Sequence, residues 1–512
     1  MNTKRKKLPV GIETFSEIIE DGHYYVDKTG YALQLIEKGK YYFLSRPRRF
    51  GKSLFVDTLR SLFEGRKELF AGLYAEHRWD WSRRFPVVSI SFGGGMMHSA
   101  AALDEKIREL LIDNQTSLGV TCTHTSISGQ FAQLIKLAHQ KYGEKVVVLI
   151  DEYDKPILDN ITDTGTALVM RDGLKNLYSA IKQADADLRF VFMTGVSKFS
   201  KVNLFSGLNN LDDITLNADY SALCGYTDHD IDTVFAPELA GLEREQIRHW
   251  YNGYNWSGAA VYNPFDLLLL LRNRKFRAWW FETGTPTFLV KLLAERQAWL
   301  LTLEQAESDA DLLGSFDIHQ IPTTTLMFQA GYLTIDRVEP VANSDYYTLR
   351  IPNHEVRQSL FGSLLREWTG DSGLEVSNKR HLYQHLAAAR IDLLAGLFQS
   401  FFAAIPHQWF DNNPIAKYEG YYASVFYAYF VATGLDVRVE DATNHGRIDM
   451  AVIMPERIWL FEFKVVESAP KGRALQQLID KGYADKYRAH GLPIQLLGVE
   501  FSREARNVVG FE

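Results

Sequence analysis

The chain has 512 residues, with 56 Lys and Arg against 63 Asp and Glu, and two cysteines. Its net charge of −7 excludes a surface coated for nucleic-acid binding but permits a local basic channel. Cys122 and Cys224 lie far apart with no partner pattern, which supports neither a disulfide framework nor a cysteine zinc site. The hydrophobic content of 46%, uninterrupted by low-complexity tracts, describes a folded chain of about three domains. The longest apolar runs, such as Phe265–Leu271, are too short to span a bilayer. A reducing cytoplasm and no membrane partner are the expectation.

In chain order, YYVDKTGYALQLIEKG reads as a strand end and an amphipathic helix, a lead-in of the kind that covers adenine in many phosphate-loop proteins. Tyr41–Ser53, YYFLSRPRRFGKS, is then a short apolar strand, a tight basic loop and the start of a helix. Its end has the chemistry of a phosphate-binding loop. Gly51 lets backbone N–H groups approach a phosphate, Lys52 neutralises the outer phosphates, and the Ser53 hydroxyl ligates Mg²⁺. Arg46 stands where the general motif has its first glycine. PVVSISFGGG is a β-branched strand, followed by helices near 101–117 and 128–140.

The run VVVLIDEYD, Val146–Asp154, is a buried parallel strand ending in two acids. Acids there need a cation to face: Asp151 for Mg²⁺, Glu152 to polarise the attacking water. A helix around 168–184 leads to RFVFMTGVSKFSK, a further buried strand, and DDITL adds a short one. Alternating strands and helices predict a parallel sheet with its chemistry at the strands' carboxyl ends, where Ser45, Asp151 and Thr194 fall. Thr194 or Ser197 either senses the terminal phosphate or caps a loop.

From GYTDHDIDTVF onward the periodicity is helical, with Thr227 and Asp230 spaced as a capping box, and we read a lid over 221–310. Its aromatics, HWYNGYNW and WWFETGTPTFL, fit a packed core better than a ligand platform. Residues 318–352 have the helix-strand-strand order of a winged helix with a tip, EPVANSD, that is not basic. Arg366–Asn378 is the expected linker.

A second constellation lies near the end. In RIWLFEFKVV, Arg457–Val466, strand alternation sends Trp459, Phe461, Phe463 and Val465 one way and Ile458, Leu460, Glu462 and Lys464 the other. A carboxylate and an ammonium on a central strand are costly unless they pair or meet a metal. Asp449 sits in the preceding strand, at a spacing that brings it beside Glu462. Two carboxylates and a lysine make an oxygen-ligand site for Mg²⁺ or Mn²⁺ suited to phosphodiester hydrolysis. Glu419 opens a nearby aromatic helix. Gln477, Lys481, Lys486 and Arg488 on the following helix suit a phosphate backbone or are a solvated face.

These segments resemble a bacterial family that joins an AAA-ATPase-like domain to a PD-(D/E)xK nuclease-superfamily domain. The resemblance rests on YVDKT, RPRRFGKS, LIDEYD, TGVSKFS, YNGY with VYNPF, QAGYLTI, GRIDM, EFK and A-L-x-Q-L-x-x-K-x-Y. It implies an α/β fold: a P-loop parallel sheet over 1–220, the helical lid, a winged-helix-like segment over 311–370 and a nuclease-like α/β domain over 379–512. It also implies ATP held by Arg46, Pro47, Arg48, Arg49, Phe50, Gly51, Lys52, Ser53, Asp151 and Thr194, with Mg²⁺ on Ser53 and Asp151. The nuclease roles it carries go to Asp449 and Glu462 as metal ligands, Lys464, and also Glu419 and Gln477. The expected function is an ATP-regulated nuclease acting on nucleic acid, DNA first. The alternative is an ATP-driven switch or scaffold whose nuclease-like domain only binds nucleic acid or a protein. An arginine finger from a neighbouring copy would require a homo-oligomer.

Overall fold

The computed structural model describes residues 5–198, 210–280, 289–290, 293, 306–309, 313, 322–369, 372–403, 419–443 and 446–512. The chain divides into two compact units, Met1–Gly284 with Ala306–Asn353, and Thr285–Gln305 with His354–Glu512.

The first unit is built on strands β1 (Tyr41–Ser45), β2 (Val87–Ser91), β3 (Val146–Asp151), β4 (Leu188–Gly195) and β5 (Asp212–Asp213), in the order β2-β3-β4-β1-β5. Every pairing is parallel. All residues of β1 and β3 are buried, so both faces of the sheet are covered, which is why these strands read as unbroken apolar runs. The covering helices are stopped and started by their sequences. Ser99, Ser126 and Asp163 accept the N–H of Ala102, Gly129 and Thr166 at the heads of Ala100–Leu118, Ile127–Tyr142 and Thr164–Gln183, each cap contributing about 1 kcal/mol. Gly119 and Gly143 end the first two in left-handed conformation. β5 is shorter than DDITL suggested. Only Asp212 and Asp213 pair with β1, because the Thr215 hydroxyl instead accepts the N–H of Ser45.

The capping box of Thr227 and Asp230 is present at the head of Asp228–Val234. That helix, Arg244–Tyr251 and Pro264–Asn273 share an apolar core with Tyr24 and Val26 of the lead-in. Further on, helix Thr323–Ala330 precedes strands β7 (Thr334–Val341) and β8 (Ser344–Arg350), the expected helix-strand-strand order, and the short β6 (Glu307–Asp309) adds to the far side in the order β6-β8-β7. Pro340 is tolerated because β7 is an edge strand. Much of WWFETGTPTFL lies outside the described residues.

The expected linker over 366–378 is instead almost wholly helical, belonging to His354–Thr369 and Ser372–Ala387. Leu360, Leu364, Leu365, Leu382 and Leu386 are fully buried. Packing of these leucines draws the residues on both sides of 370–371 into helix.

In the second unit, helix Glu419–Ala432 leads into β9 (Asp436–Thr443), β10 (Gly446–Ile453) and β11 (Ile458–Val466), then helix Arg473–Asp480, β12 (Ile494–Ser502) and β13 (Asn507–Phe511). The sheet order is β13-β12-β11-β10-β9. β9, β10 and β11 form an antiparallel meander, β12 joins β11 in parallel, and β13 pairs antiparallel. β11 is central and uses both faces as its alternation predicts. Phe461 and Phe463 pack on Phe426 with ring centroids 5.5 and 5.1 Å apart, while Ile458 and Leu460 join Ile448, Leu478, Tyr483 and Tyr487. Among the described residues no helix is long and apolar enough to cross a membrane.

Candidate functional sites

The first site grows from the carboxyl end of β1. Arg49 (φ 68°) and Gly51 (φ 90°) take left-handed backbone conformations, turning the chain sharply into helix Lys52–Phe63 so that the helix's free N–H groups face the loop. Lys52 is buried, and its ammonium donates to the carbonyls of Arg46 and Pro47, each at 2.9 Å. Burial pushes its pKa down, opposed by the charge of Asp151. Asp151 ends β3, and one of its oxygens accepts the N–H of Glu152 at 3.0 Å. Glu152 is itself left-handed, at φ 51°. Burial, then the neighbouring Asp151, push its pKa up. A Cβ at Gly93 would lie 3.0 Å from Glu152 Oε2, so the loop after β2 passes close to this carboxylate.

Ser53 is half-buried in the first turn of the helix. Arg48 is half-buried, and the exposed Arg49 lays its guanidinium over the Phe265 ring at 4.8 Å. Beside the loop opens an apolar cleft of about 100 Å³, lined by Pro9, Ile12, Tyr24, Phe50, Cys224 and Tyr226 among others.

Two side chains differ from their expected roles. The Thr194 hydroxyl donates to Leu44 O at 2.9 Å, stitching β4 to β1 within a fully buried sheet, so it is committed to the backbone and does not face the loop's open side. Arg46 also turns inward. Its guanidinium donates to the carbonyls of Ser45, Thr215 and Tyr220 at 2.8, 2.9 and 3.2 Å and stacks on Trp256 at 4.1 Å. Burial pushes its pKa down to about 10. Arg46 therefore supports the loop from behind while its backbone carbonyl serves Lys52. Ser197, the other candidate sensor, donates its hydroxyl to Asp154 at 2.5 Å.

Asp154 had no assigned role in the sequence reading. Its buried carboxylate also accepts the N–H groups of Val196 and Ser197, tying the loop after β4 to the acidic strand end. The fourth residue of DEYD was the available signal, since a third acid beside a buried strand needs its own donors.

The second site is assembled by strand register. Met450 pairs with Phe461, which sets Asp449 beside Glu462, and Asp449 Oδ2 accepts the N–H of Phe463 at 2.8 Å. Glu462 Oε1 receives the Lys464 ammonium at 3.3 Å and the Gln477 amide. The Glu462 side chain is 1% exposed and that of Lys464 28%. Gln477 arrives on helix Arg473–Asp480, whose first turn is anchored by the buried Glu500, the acceptor for the N–H groups of Lys471 and Arg473. Asp449, Glu462, Lys464 and Gln477 thus meet on one face. Tyr483 joins them. Its hydroxyl fits over Gly446, where a Cβ would lie 2.7 Å away, and burial followed by Glu462 pushes its pKa up. The tyrosine closing A-L-x-Q-L-x-x-K-x-Y was the sequence signal for it. Glu419 is the first residue of its helix, and its side chain lies outside the described residues. So do Asn444 and His445, which precede the exposed Gly446 and Arg447.

Among the described residues no three His, Cys, Asp or Glu side chains converge as a metal cluster. Two carboxylates of opposite strands, one fully buried, still fit a hard cation that keeps several waters, as Mg²⁺ does. Ser53 and Asp151 are equally a hydroxyl and a carboxylate of the type that holds Mg²⁺ beside phosphates.

Residues 9–205 match the family described as predicted AAA-ATPase, and residues 417–511 match the PD-(D/E)XK nuclease superfamily. An "Uncharacterized protein in vnfD 5'region" of Azotobacter chroococcum mcd 1 is 61% identical over 508 residues, which cover 99% of this chain and 98% of that protein. The chain belongs to the family of AAA-ATPase-like proteins that carry a PD-(D/E)XK nuclease-superfamily domain at the C-terminus.

Proposed function

We propose that this protein binds and hydrolyses ATP in its first unit and uses the state of that site to regulate a metal-dependent nuclease in its second. The observation that carries the reading is the meeting of Asp449, Glu462, Lys464 and Gln477 on one sheet face, in a chain that also holds the Lys52 loop opposite Asp151 and Glu152. Lys52 exchanges the carbonyls of Arg46 and Pro47 for phosphate oxygens, and the N–H groups of residues 48–53 cradle the phosphate chain. Ser53 and Asp151 hold the Mg²⁺ that travels with the nucleotide. Glu152, its pKa raised by burial and by Asp151, takes the proton of the attacking water.

At the second site Asp449 and Glu462 are the ligands for Mg²⁺ or Mn²⁺. Such an ion, when bound, polarises a phosphodiester and lowers the pKa of a water. Lys464 holds the scissile phosphate or the water, Gln477 fixes the Glu462 rotamer, and Glu419 is a further acid at the head of its helix. Nucleic acid, DNA first, is the substrate class.

The test is cleavage of labelled single-stranded DNA, duplex DNA and RNA with Mg²⁺ or Mn²⁺, with and without ATP, alongside Asp449→Ala. ATP-sensitive cutting that the variant lacks supports the proposal. No cutting under any condition, with ATP hydrolysis intact, overturns the nuclease half and leaves a switch or scaffold.

A further inference from the structure

The aromatic segment Tyr251–Trp256, YNGYNW, touches the phosphate loop at one end and the β7-β8 hairpin at the other. At the loop end, Phe50 sits edge-on to Tyr254 and Trp256, with centroids 4.7 and 5.4 Å away, and Trp256 carries the Arg46 guanidinium at 4.1 Å. At the other end, a single hydroxyl clasps the segment. Thr334 Oγ1 accepts the N–H of Asn255 at 2.6 Å and donates to the Asn255 carbonyl at 3.2 Å.

Gly253 sits at φ 117°, where a Cβ would lie 2.1 Å from Pro352 O. Arg350 of β8 donates to the carbonyls of both Gly253 and Pro352. A second contact runs in parallel: a Cβ at Gly331, the residue ending helix Thr323–Ala330, would lie 2.8 Å from Pro47 of the loop. Asn353, one residue past Pro352, is where the chain leaves the first unit.

We propose that YNGYNW is a relay that passes the nucleotide state of the phosphate loop to the β7-β8 hairpin. The inference rests on reading residues 46–53 as the nucleotide site. Coupling between sites is carried by chains of packed side chains and hydrogen bonds, and here such a chain runs from Arg46 and Phe50 through Trp256 and Tyr254 to Asn255 and Gly253, then Thr334 and Arg350. When Lys52 releases the carbonyls of Arg46 and Pro47 to take up phosphate, the backbone that moves is the one against which Phe50, Trp256 and Gly331 are packed.

The test is backbone amide exchange of the full chain with and without the non-hydrolysable analogue MgAMPPNP. In the wild type the analogue slows exchange in 46–53 and changes it in 252–256 and 334–350. Thr334→Val keeps the shape and removes both hydrogen bonds, so it should keep the response at 46–53 and lose the one at 334–350, whereas Thr334→Ser should restore it. An undiminished hairpin response in Thr334→Val overturns the relay, as does a wild-type hairpin that stays unchanged while 46–53 is protected. No protection at 46–53 in the wild type overturns the nucleotide reading itself, and the relay with it.

Discussion

Phe463 donates its backbone N–H to Asp449 Oδ2 across the β10-β11 pair at 2.8 Å, so the carboxylate is aimed by the sheet itself. Asp449→Asn should therefore keep the fold and lose cleavage, by about 10²-fold or more for a lost metal ligand. ATP hydrolysis should be untouched. A metal titration followed by calorimetry separates binding from turnover, and Asn should weaken Mg²⁺ or Mn²⁺ at this site.

Glu462 is fully buried with Lys464 and Gln477 on the same oxygen. Lys464→Met removes the cation and leaves that carboxylate with the Gln477 amide but without the lysine's charge. The expected outcome is lost cleavage together with destabilisation of about 3 kcal/mol without metal, partly recovered by added Mg²⁺. Thermal unfolding with and without EDTA measures both.

Lys52→Ala should abolish measurable ATP hydrolysis, a fall of about 10²-fold or more. Glu152→Gln should retain nucleotide binding and lose turnover. Because burial and Asp151 raise the Glu152 pKa, the base is protonated, and kcat for ATP falls, at a pH above the ordinary glutamate value. A pH profile of kcat locates that acid limb. A limb at the ordinary value would show that Glu152 is not the titrating base.

Asp154→Ala should destabilise the first unit by about 3 kcal/mol, because the N–H groups of Val196 and Ser197 lose their buried charged acceptor. Gly253→Ala should cost about 1–3 kcal/mol, since its backbone is left-handed and Pro352 O blocks the new methyl. Denaturant titration of each variant gives the values.

The elements that a sequence shows best are those whose pattern is their environment. β11 alternates because Phe461 and Phe463 meet Phe426 while Ile458 and Leu460 meet Leu478, so the position of Glu462 could be read residue by residue. The spacing from Asp449 followed from an antiparallel pair. Other features depend on neighbours distant in the chain. Besides the carbonyl of the adjacent Ser45, the partners that hold the Arg46 side chain inward are distant in the chain: Thr215, Tyr220 and Trp256. The Thr194 hydroxyl is claimed by a strand about 150 residues earlier in the chain. Arg366–Asn378 reads as a linker until 366–369 and 372–378 are seen to be helical, with Leu360, Leu364 and Leu382 buried on the same helices.

The inward Arg46 bears on how this loop came to be. In a glycine-rich phosphate loop the curvature is a property of the peptide, and a short stretch can be grafted onto a new strand with its binding intact. Here a guanidinium braced on Ser45, Thr215, Tyr220 and Trp256 backs the loop from behind, so the loop depends on its surroundings as well as on its own turn. A substitution at Trp256, whose ring carries the guanidinium, would have to be matched at position 46, and homologues should change these two positions together.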